Sequence, residues 1–341
     1  MGVDLEPRAP QDTTLEDAVL SVRCARFTPD DPLAGLELVD AAEPDVPEGW
    51  EIVHVRAAAL NHHDLWTLRG VGVTEAELPI QLGTDAAGVT ADGREVVVHA
   101  VLSTAEEGED ETLAPDFHLF SERGVPGTFA ERIAAPSRNL VEKPASLTFA
   151  QAACLPTAYL TAYRMLFSRA GLEPGDTVLV QGAGGGVATA AILIGAAAGL
   201  TVYATSRTAE RRALAVQLGA AEAFEPGARL PVRVDAVLET VGKATWDHSL
   251  KSLRPGGTVV VAGATTGADP SADLARMFWR QLQVKGTSMG TIAELRAVCA
   301  LLEETGARPL VDSELPLDEA RTALERLHAG EEFGKVVLTH A

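Results

Sequence analysis

Residues 177–206 read TVLVQGAGGGVATAAILIGAAAGLTVYATS and contain no charged side chain. The stretch opens with the apolar run Thr177–Gln181, breaks at the glycines of residues 182–186, continues as a small-residue helix to Ala198 and resumes as a strand at Thr201–Thr205. Length alone would allow a membrane span, but a buried parallel strand also reads as uninterrupted apolar residues. The stretch therefore predicts a strand, a glycine turn, a helix and a second strand.

The same alternation of helix and strand continues towards the C-terminus. A helix near Glu210–Leu218 and strands at Val234–Glu239 and Thr258–Ala262 extend a pattern that is typical of a doubly wound parallel sheet. Beyond about residue 290 the pattern predicts helices at 294–304 and 317–328 and a last strand at 335–339. This tail is too short to be a domain of its own, so we expect it to pack back on the first part of the chain.

The chain up to about residue 140 differs from the rest, because short strands separated by turn residues predict a β-rich, barrel-like domain. The predicted strands are Glu51–Ala58, Gly83–Val89, Arg94–Val101 and Phe129–Ala135. Two domains suit a length of 341 residues.

The segment from Gly182 to Ala188 lies between a predicted strand and a predicted helix, which is the context of a dinucleotide-binding turn. Gly182 permits a tight turn, and Gly185 and Gly186 let backbone amides approach a pyrophosphate. The helix that starts beside Val187 offers its free N–H groups to the phosphates. The alternative is a flexible turn without a ligand, but the second strand at the expected distance favours a cofactor.

The identity of the cofactor depends on the end of the second strand. In an NAD site an acidic residue about 20 positions after the first glycine binds the ribose 2′-hydroxyl. Here residues 204–208 read ATSRT, with no acid before Glu210. Ser206 and Arg207 offer the hydroxyl and guanidinium that a 2′-phosphate requires, although a solvated turn would look the same. We therefore expect NADPH rather than NADH.

Composition limits the partners and the compartment. The formal net charge of −20 argues against nucleic acid and anionic membranes as partners. Cys24, Cys154 and Cys299 are far apart and form no C-x-x-C, so neither a disulfide framework nor a four-thiolate zinc lobe is predicted. The N-terminus shows no targeting pattern. We expect a cytoplasmic protein.

Four segments together resemble the medium-chain dehydrogenase/reductase superfamily, in the zinc-independent branch of quinone oxidoreductases and enone reductases. They are ALNHHD at 59–64 with Arg69-Gly70, LGTDAAG at 82–88, GTFAE at 127–131 and PGDTVLVQGAGGG at 174–186. The resemblance covers nearly the whole chain. It implies an α/β protein with a GroES-like β-rich catalytic domain, residues 1–142 and 290–341, and a Rossmann NADP(H)-binding domain of residues 143–289.

The resemblance also implies cofactor contacts beyond the glycine turn. Thr240 and Gly242 at the end of one strand and Gly263 at the end of the next would flank the ribose and nicotinamide, since cofactors bind at the carboxyl edge of such sheets. Lys335 would carry positive charge towards the adenine phosphate, unless it is simply exposed at the start of a strand.

Zinc-dependent alcohol dehydrogenases of the superfamily have a Cys where this chain has Asn61, His-Glu where it has Thr84-Asp85, and Cys or Asp near Thr157. A tetrahedral zinc needs thiolate, imidazole or carboxylate ligands, and of these positions Asp85 alone qualifies. The structural zinc lobe should fall between residues 98 and 127, where this chain has the acidic run AEEGEDE at 105–111 and no Cys. Both zinc sites are expected to be absent.

An unconventional metal site is the alternative. Its candidate ligands are His62, His63, Asp64, Asp85 and His99. Adjacent histidines on an extended segment point to opposite faces, which disfavours that site.

Without a Lewis acid, a conjugated acceptor is easier to reduce than a simple ketone, because it delocalises the incoming charge onto an oxygen. The predicted reaction is therefore hydride transfer to a quinone or an α,β-unsaturated carbonyl. The catalytic candidates are Asn61, Asp64 and His63, with Asn61 first as a donor to the carbonyl or a contact of the nicotinamide. The alternative roles are a satisfied turn residue for Asn61 and core packing for His63.

Other interpretations remain open at this point. The chain could be an alcohol or aldehyde dehydrogenase with a noncanonical metal, or a protein that binds NADPH without turnover. Quinone, enone and enoyl thioester are all possible substrates. The strands at Thr258–Ala262 and Val284–Thr287 could extend a sheet across a two-fold axis, as in dimers of the superfamily, so a homodimer is expected.

Overall fold

The computed structural model describes residues 18–340. Its first part consists mainly of antiparallel strands around a core of their own. The strands are β1 Val19–Cys24, β2 Leu36–Ala41, β3 Trp50–Ala59, β4 Ile80–Gln81, β5 Ala86–Thr90, β6 Glu95–Val98, β7 Val101–Leu102, β8 His118–Leu119, β9 Arg132–Pro136 and β10 Leu140–Glu142. The long strand β3 organises this part, because it pairs with β5, with β9 and with the last strand of the chain.

A parallel sheet of six strands forms the second part. The strands are β11 Thr177–Val180, β12 Thr201–Thr205, β13 Glu222–Phe224, β14 Val234–Glu239, β15 Leu253–Val261 and β16 Gln283–Gly286. Their order is β13-β12-β11-β14-β15-β16, and each neighbouring pair is parallel. From β11 the chain forms β12 and β13 on one side of that strand, and it then crosses to the other side to form β14. The carboxyl ends of β11 and β14 therefore border a crevice. The predicted doubly wound sheet is confirmed.

The helices cover the sheets and connect them. They are α1 His62–Leu68, α2 Phe149–Ala153, α3 Leu160–Tyr163, α4 Gly186–Ala197, α5 Ala209–Leu218, α6 Trp246–Ser252, α7 Leu274–Arg280, α8 Ile292–Thr305 and α9 Ala320–Ala329. The helices α2 and α3 belong to one helical stretch, residues 149–169, with widened π turns at 155–159 and 164–169. Pro156 has no N–H to donate, and the first widened turn lies around it. That turn carries Thr157 towards the first sheet.

The C-terminal residues return to both parts. β18 Lys335–Thr339 pairs antiparallel with β3, and β17 Val311–Pro316 pairs parallel with β18. The helix α8 instead packs against α3 and α4 of the second part. The domain limits at residues 142 and 290 stay a prediction, and the predicted first domain also includes residues 1–17 and 341, which lie outside the described residues.

Several local predictions differ from the structure. The strand predicted at Arg94–Val101 is interrupted, because the carbonyls of His99 and Val101 accept from the Asn139 side chain. The strand predicted from Gly83 begins only at Ala86. The histidine pair is not extended but opens α1, where the Asp64 carboxylate accepts from the Asn61 N–H at 2.8 Å. Within residues 18–340, no helix combines the length and the apolarity that crossing a membrane requires.

Candidate active site

A cavity of about 370 Å³ lies between the first sheet and the parallel sheet. One wall is formed by residues 60–63 at the start of α1, and the opposite wall by Gly186 and Val187 of the glycine turn with Ala262 after β15. Residues 334–336 close a third side. A cleft at the carboxyl ends of parallel strands is where such folds bind their ligands.

Asn61, Thr84 and Thr157 meet at the bottom of this cavity. Asn61 Nδ2 donates to Thr84 Oγ1 at 3.0 Å, and Thr84 Oγ1 lies 3.4 Å from Thr157 Oγ1. These are the three positions that the sequence aligned with the ligands of a catalytic zinc, and the structure brings them together. We call this group, with Asp85 and Lys335, the cleft floor.

Lys335 supplies a buried positive charge to the cleft floor. Its Nζ donates to Leu60 O at 2.5 Å and to Asn61 Oδ1 at 2.6 Å, and lies 3.6 Å from Asp85 Oδ2. Burial raises the pKa of the Asp85 carboxyl, and the Lys335 charge acts in the opposite direction. The expectation that Lys335 points to the adenine phosphate is therefore corrected: β18 starts under the glycine turn, so its first side chain enters the cleft.

Asp64 lies behind the cleft floor and is fully buried. Its two oxygens accept from the Asn61 N–H at 2.8 Å and the Gly83 N–H at 3.2 Å. Burial raises the pKa of Asp64 to about 6. Asp64 is not part of the cavity wall, so its predicted catalytic role changes to positioning: it holds the start of α1 against the segment before β5.

The glycine turn has the geometry that close approach of a ligand requires. Gly182 has a φ of +74°, and a Cβ there would lie 2.6 Å from Val241 Cγ2. A Cβ on Gly186 would lie 2.7 Å from Lys335 Cδ, whereas a Cβ on Gly185 would meet open space. The N-cap residue of α4 is Gly185, which has no side chain to cap the helix. The free N–H groups of α4 therefore fit the pyrophosphate of a dinucleotide.

Comparison with known proteins agrees with this geometry. The family model described as "Alcohol dehydrogenase GroES-like domain" matches residues 47–145, and the model described as "Zinc-binding dehydrogenase" matches residues 186–304. A crystal structure of an NAD-dependent alcohol dehydrogenase superposes with a TM-score of 0.87 at 33% identity, covering 94% of this chain and 100% of that one. The chain belongs to the medium-chain dehydrogenase/reductase superfamily.

Two curated relatives show the range of this superfamily. A zinc-type alcohol dehydrogenase-like protein of Schizosaccharomyces pombe is 29% identical over 92% of this chain and 98% of its own length. A quinone oxidoreductase of Lama guanicoe is 28% identical over 88% of this chain and 91% of its own length. Membership makes this chain an oxidoreductase with a nicotinamide cofactor.

At the end of β12, where the superfamily distinguishes its cofactors, Ser206 is buried and Arg207 is exposed. The carbonyls of both residues accept from Arg212 Nη1, at 3.0 and 3.2 Å, which orders the turn. Sequence analysis missed Arg211, whose Nη1 would lie 3.0 Å from a Cβ on Gly184 and whose Nη2 donates to the carbonyls of Gly330 and Glu332. The position of Arg211, three residues after the N-cap Thr208, does not by itself indicate this contact.

The turns after β14 and β15 carry Thr240, Gly242 and Gly263, as predicted for the carboxyl edge. Gly242 has a φ of +91°, and a Cβ on Gly263 would lie 3.2 Å from Thr240 O. Sequence analysis also missed Glu239, whose buried carboxylate accepts from the N–H groups of Val241 and Gly242 at 2.8 and 2.9 Å. The glutamate thus fixes the backbone at this edge. The cofactor contacts of the three predicted residues stay predictions.

His63 lines the cavity and is paired with Glu122, a residue that sequence analysis did not single out. His63 Nε2 lies 2.8 Å from Glu122 Oε1, and Glu122 Oε2 accepts from the Leu119 N–H at 2.9 Å. Burial opposes protonation of His63, but the hydrogen bond with Glu122 and the charges of Asp64, Glu122 and Asp85 together outweigh it and raise the histidine pKa. Because 59 positions separate the two residues, no local motif connects them.

The cleft floor does not fit a zinc ion. Amide and hydroxyl groups replace thiolate and imidazole, and they are hydrogen-bonded to one another and to an ammonium group. Among residues 18–340, no three side chains of His, Cys, Asp or Glu gather in a way that could hold a metal. The alternative ligands also separate: His62 is exposed, His63 faces Glu122, and His99 Nε2 lies 3.5 Å from Glu111 Oε2.

Proposed function

We propose that this chain is an NADPH-dependent oxidoreductase that reduces a quinone or an α,β-unsaturated carbonyl without zinc. The observation that carries the proposal is the cleft floor, where the three ligand positions of zinc-dependent relatives hold Asn61, Thr84 and Thr157. The names of the relatives point in both directions, to a zinc-type dehydrogenase and to a quinone oxidoreductase. The donor set of this chain supports the second.

When bound, NADPH supplies a hydride. The free N–H groups of α4 and the turns after β14 and β15 would hold the NADPH molecule. The acceptor lies against Leu60–His63, where the apolar walls formed by Trp66, Leu119 and Met289 exclude water. Negative charge then develops on the acceptor oxygen, and the Lys335 ammonium lies at the bottom of the same cavity. The Nδ2 of Asn61 donates to Thr84 and Ala59, and the Nζ of Lys335 donates to Leu60 and Asn61, so both side chains have partners within the protein. Lys335 is the stronger candidate to stabilise this charge because it carries a full positive charge.

The reaction is tested with purified protein whose metal content is known. NADPH and a simple quinone or a simple enone are mixed with it, and absorbance at the reduced-nicotinamide band is followed. Rapid oxidation of NADPH by zinc-free protein is expected. Stoichiometric zinc together with alcohol-dependent reduction of NADP⁺ would favour the alternative, an alcohol or aldehyde dehydrogenase. Tight NADPH binding with no turnover on any acceptor would favour a binding protein.

NADPH is preferred to NADH in this proposal because Ser206 and Arg207 stand where an NAD site has an acid. Arg207→Leu should lower kcat/KM for NADPH by about 10- to 100-fold, the equivalent of one charge-assisted hydrogen bond, and leave kcat/KM for NADH nearly unchanged. Arg229→Leu, at another exposed arginine, is the matched control. Equal losses with both cofactors would assign Arg207 a structural role instead.

A homodimer through the edge of the parallel sheet is also proposed. Among the described residues β16 pairs with β15 alone, and beside it the exposed fractions of Phe278 and Trp279 are 72% and 79%. Exposed apolar groups at a free strand edge favour pairing with a second copy. Sedimentation equilibrium should show a dimer that Val284→Lys dissociates.

The three buried free thiols support a reducing compartment such as the cytoplasm.

A further inference from the structure

The pair His63–Glu122 has no role in the hydride transfer just described. Both side chains line the cavity, with 16% and 20% of their surface exposed, so the pair is at its wall rather than in the core. Glu122 is held by the Leu119 N–H and cannot easily turn away. Among residues 18–340, His63 Nδ1 has no hydrogen-bond partner, so a proton on that nitrogen is not committed to another group of the protein.

Quinone and enone reduction differ in their need for such a proton. Hydride transfer to a quinone leaves negative charge on oxygen, and water protonates oxygen rapidly. Hydride transfer to the β carbon of an enone leaves an enolate, and the ketone forms only when the α carbon gains a proton. A positioned general acid accelerates proton transfer of this kind by about 10²- to 10⁴-fold.

We propose that His63, held by Glu122, is the proton donor to the α carbon when the substrate is an enone. This inference rests on the proposed function. The β carbon gains the hydride, the C=C π electrons move to the enolate, and the Nδ1–H bond of His63 breaks as the new C–H bond forms at the α carbon, while Nε2–H stays bonded to Glu122. The neutral imidazole then takes a proton from water, so the reaction consumes NADPH and one proton for each enone reduced.

The other charged groups around His63 support its protonated form. Glu122 reaches it from the loop after β8, Asp64 is its neighbour on α1, and Asp85 lies before β5. All three are acids, and each raises the histidine pKa against the effect of burial. The neighbouring His62 differs: although its side chain keeps contact with solvent at the cavity wall, partial desolvation by the surrounding protein and then the charges of Lys335 and Arg69 lower its pKa. His63 is therefore the better acid of the two near neutral pH.

The test compares His63→Gln with wild type on two acceptors. We expect kcat with the enone to fall about 100-fold or more and kcat with the quinone to stay within a few-fold. His54→Gln, at an exposed histidine outside the cavity, is the control for the substitution itself. In D₂O the wild type should place deuterium on one face of the α carbon of a substituted enone, and His63→Gln should lose this face selectivity.

A second variant tests the pair through pH. The enone rate of the wild type should fall as pH rises through the His63 pKa, and Glu122→Gln should move that fall to lower pH because the carboxylate no longer stabilises the imidazolium. The quinone profile should not move. Equal losses on both acceptors, an unchanged enone rate, or a wild type that reduces quinones but no enone would overturn the proposal. A wild type that oxidises NADPH with neither acceptor would instead reject the proposed function.

Discussion

The cleft floor and the acidic loop, residues 105–111, lie at the two places where the superfamily resemblance puts zinc, and each buries a basic side chain beside carboxylates. In the cleft floor Lys335 lies 3.6 Å from Asp85, which is fully buried. At the acidic loop Arg164 bonds to Asp110 and, at 2.7 Å, to Glu294 of α8, and both carboxylates keep some contact with solvent.

These carboxylates respond to their surroundings in opposite directions. Burial dominates at the cleft floor and raises the pKa of Asp85 and of Asp64 behind it. At the acidic loop partial burial also opposes ionisation, but the hydrogen bonds from Thr112 and Arg164 outweigh it and lower the pKa of Asp110. Charge at the cleft floor therefore costs stability, as is common at functional sites, whereas charge at the acidic loop ties the loop to α8.

The largest expected effect comes from removing the cation of the cleft floor. Lys335→Met leaves the Asp85 carboxylate buried without its counter-charge. We expect the free energy of unfolding at pH 7 to fall by about 3–5 kcal/mol, the usual cost of breaking a buried pair. Urea denaturation followed by tryptophan fluorescence measures it. The double variant Lys335→Met/Asp85→Asn should recover most of the loss, and a single variant as stable as wild type would show that the ammonium does not compensate Asp85.

The next effect is the dependence of stability on the ionisation of Asp64. The pKa of Asp64 is about 6 in the folded protein, and the usual value of 3.8 applies to the unfolded chain. Between pH 3.8 and pH 6 the folded state therefore binds more protons than the unfolded state. The contribution of Asp64 to the free energy of unfolding therefore falls by about 3 kcal/mol as pH rises from about 4 to 6, and it stays constant at higher pH.

The Asp64→Asn variant isolates that contribution, because it cannot ionise. Its free energy of unfolding relative to wild type should increase by about 3 kcal/mol between pH 4 and pH 6. Urea titrations across this range give the difference curve. A flat difference curve would contradict the raised pKa, whatever the absolute loss from weaker bonds to the Asn61 and Gly83 N–H groups.

The sequence was sufficient for elements whose pattern is local. The stretch 177–206 predicted β11, α4 and β12 because its strands are uniformly apolar and its glycines lie where the turn must be. The helix α1 was missed because its start depends on Asp64 bonding back to Asn61, and the run His62-His63 has no helical periodicity. Local pattern likewise gave no sign that Asn139 would interrupt a strand by bonding to the carbonyls of His99 and Val101.

The candidate site shows the same division. The resemblance to the superfamily matched Asn61, Thr84 and Thr157 to the ligand positions of a catalytic zinc, and the structure brings the three together. The third is 96 positions from the first and is carried in by a widened helical turn. The resemblance could not predict the direction of Lys335, which depends on how β18 enters under Gly186. The resemblance also did not indicate Glu122. This residue lies in a loop 59 positions from His63, and only the folded structure brings the two side chains together.

The smallest effect is expected at the acidic loop. Arg164→Met removes the bonds to Asp110 and Glu294, whose carboxylates can then turn to water, so we expect the free energy of unfolding at pH 7 to fall by about 1–3 kcal/mol. Arg296→Met, at an exposed arginine of the same helix α8, should change it by less than about 0.5 kcal/mol. Urea denaturation of both variants measures these changes.

The pH dependence of the Arg164→Met effect separates the two regions. The pKa of Asp110 is lowered in the folded protein, so its stabilising contribution is present above the unfolded value of 3.8 and is lost as pH falls through the folded pKa. The loss caused by Arg164→Met should therefore shrink below about pH 4. The free energy of unfolding of Asp64→Asn relative to wild type should instead increase from pH 4 to 6. A loss that stayed constant below pH 4 would show that Arg164 does not stabilise the ionised form of Asp110.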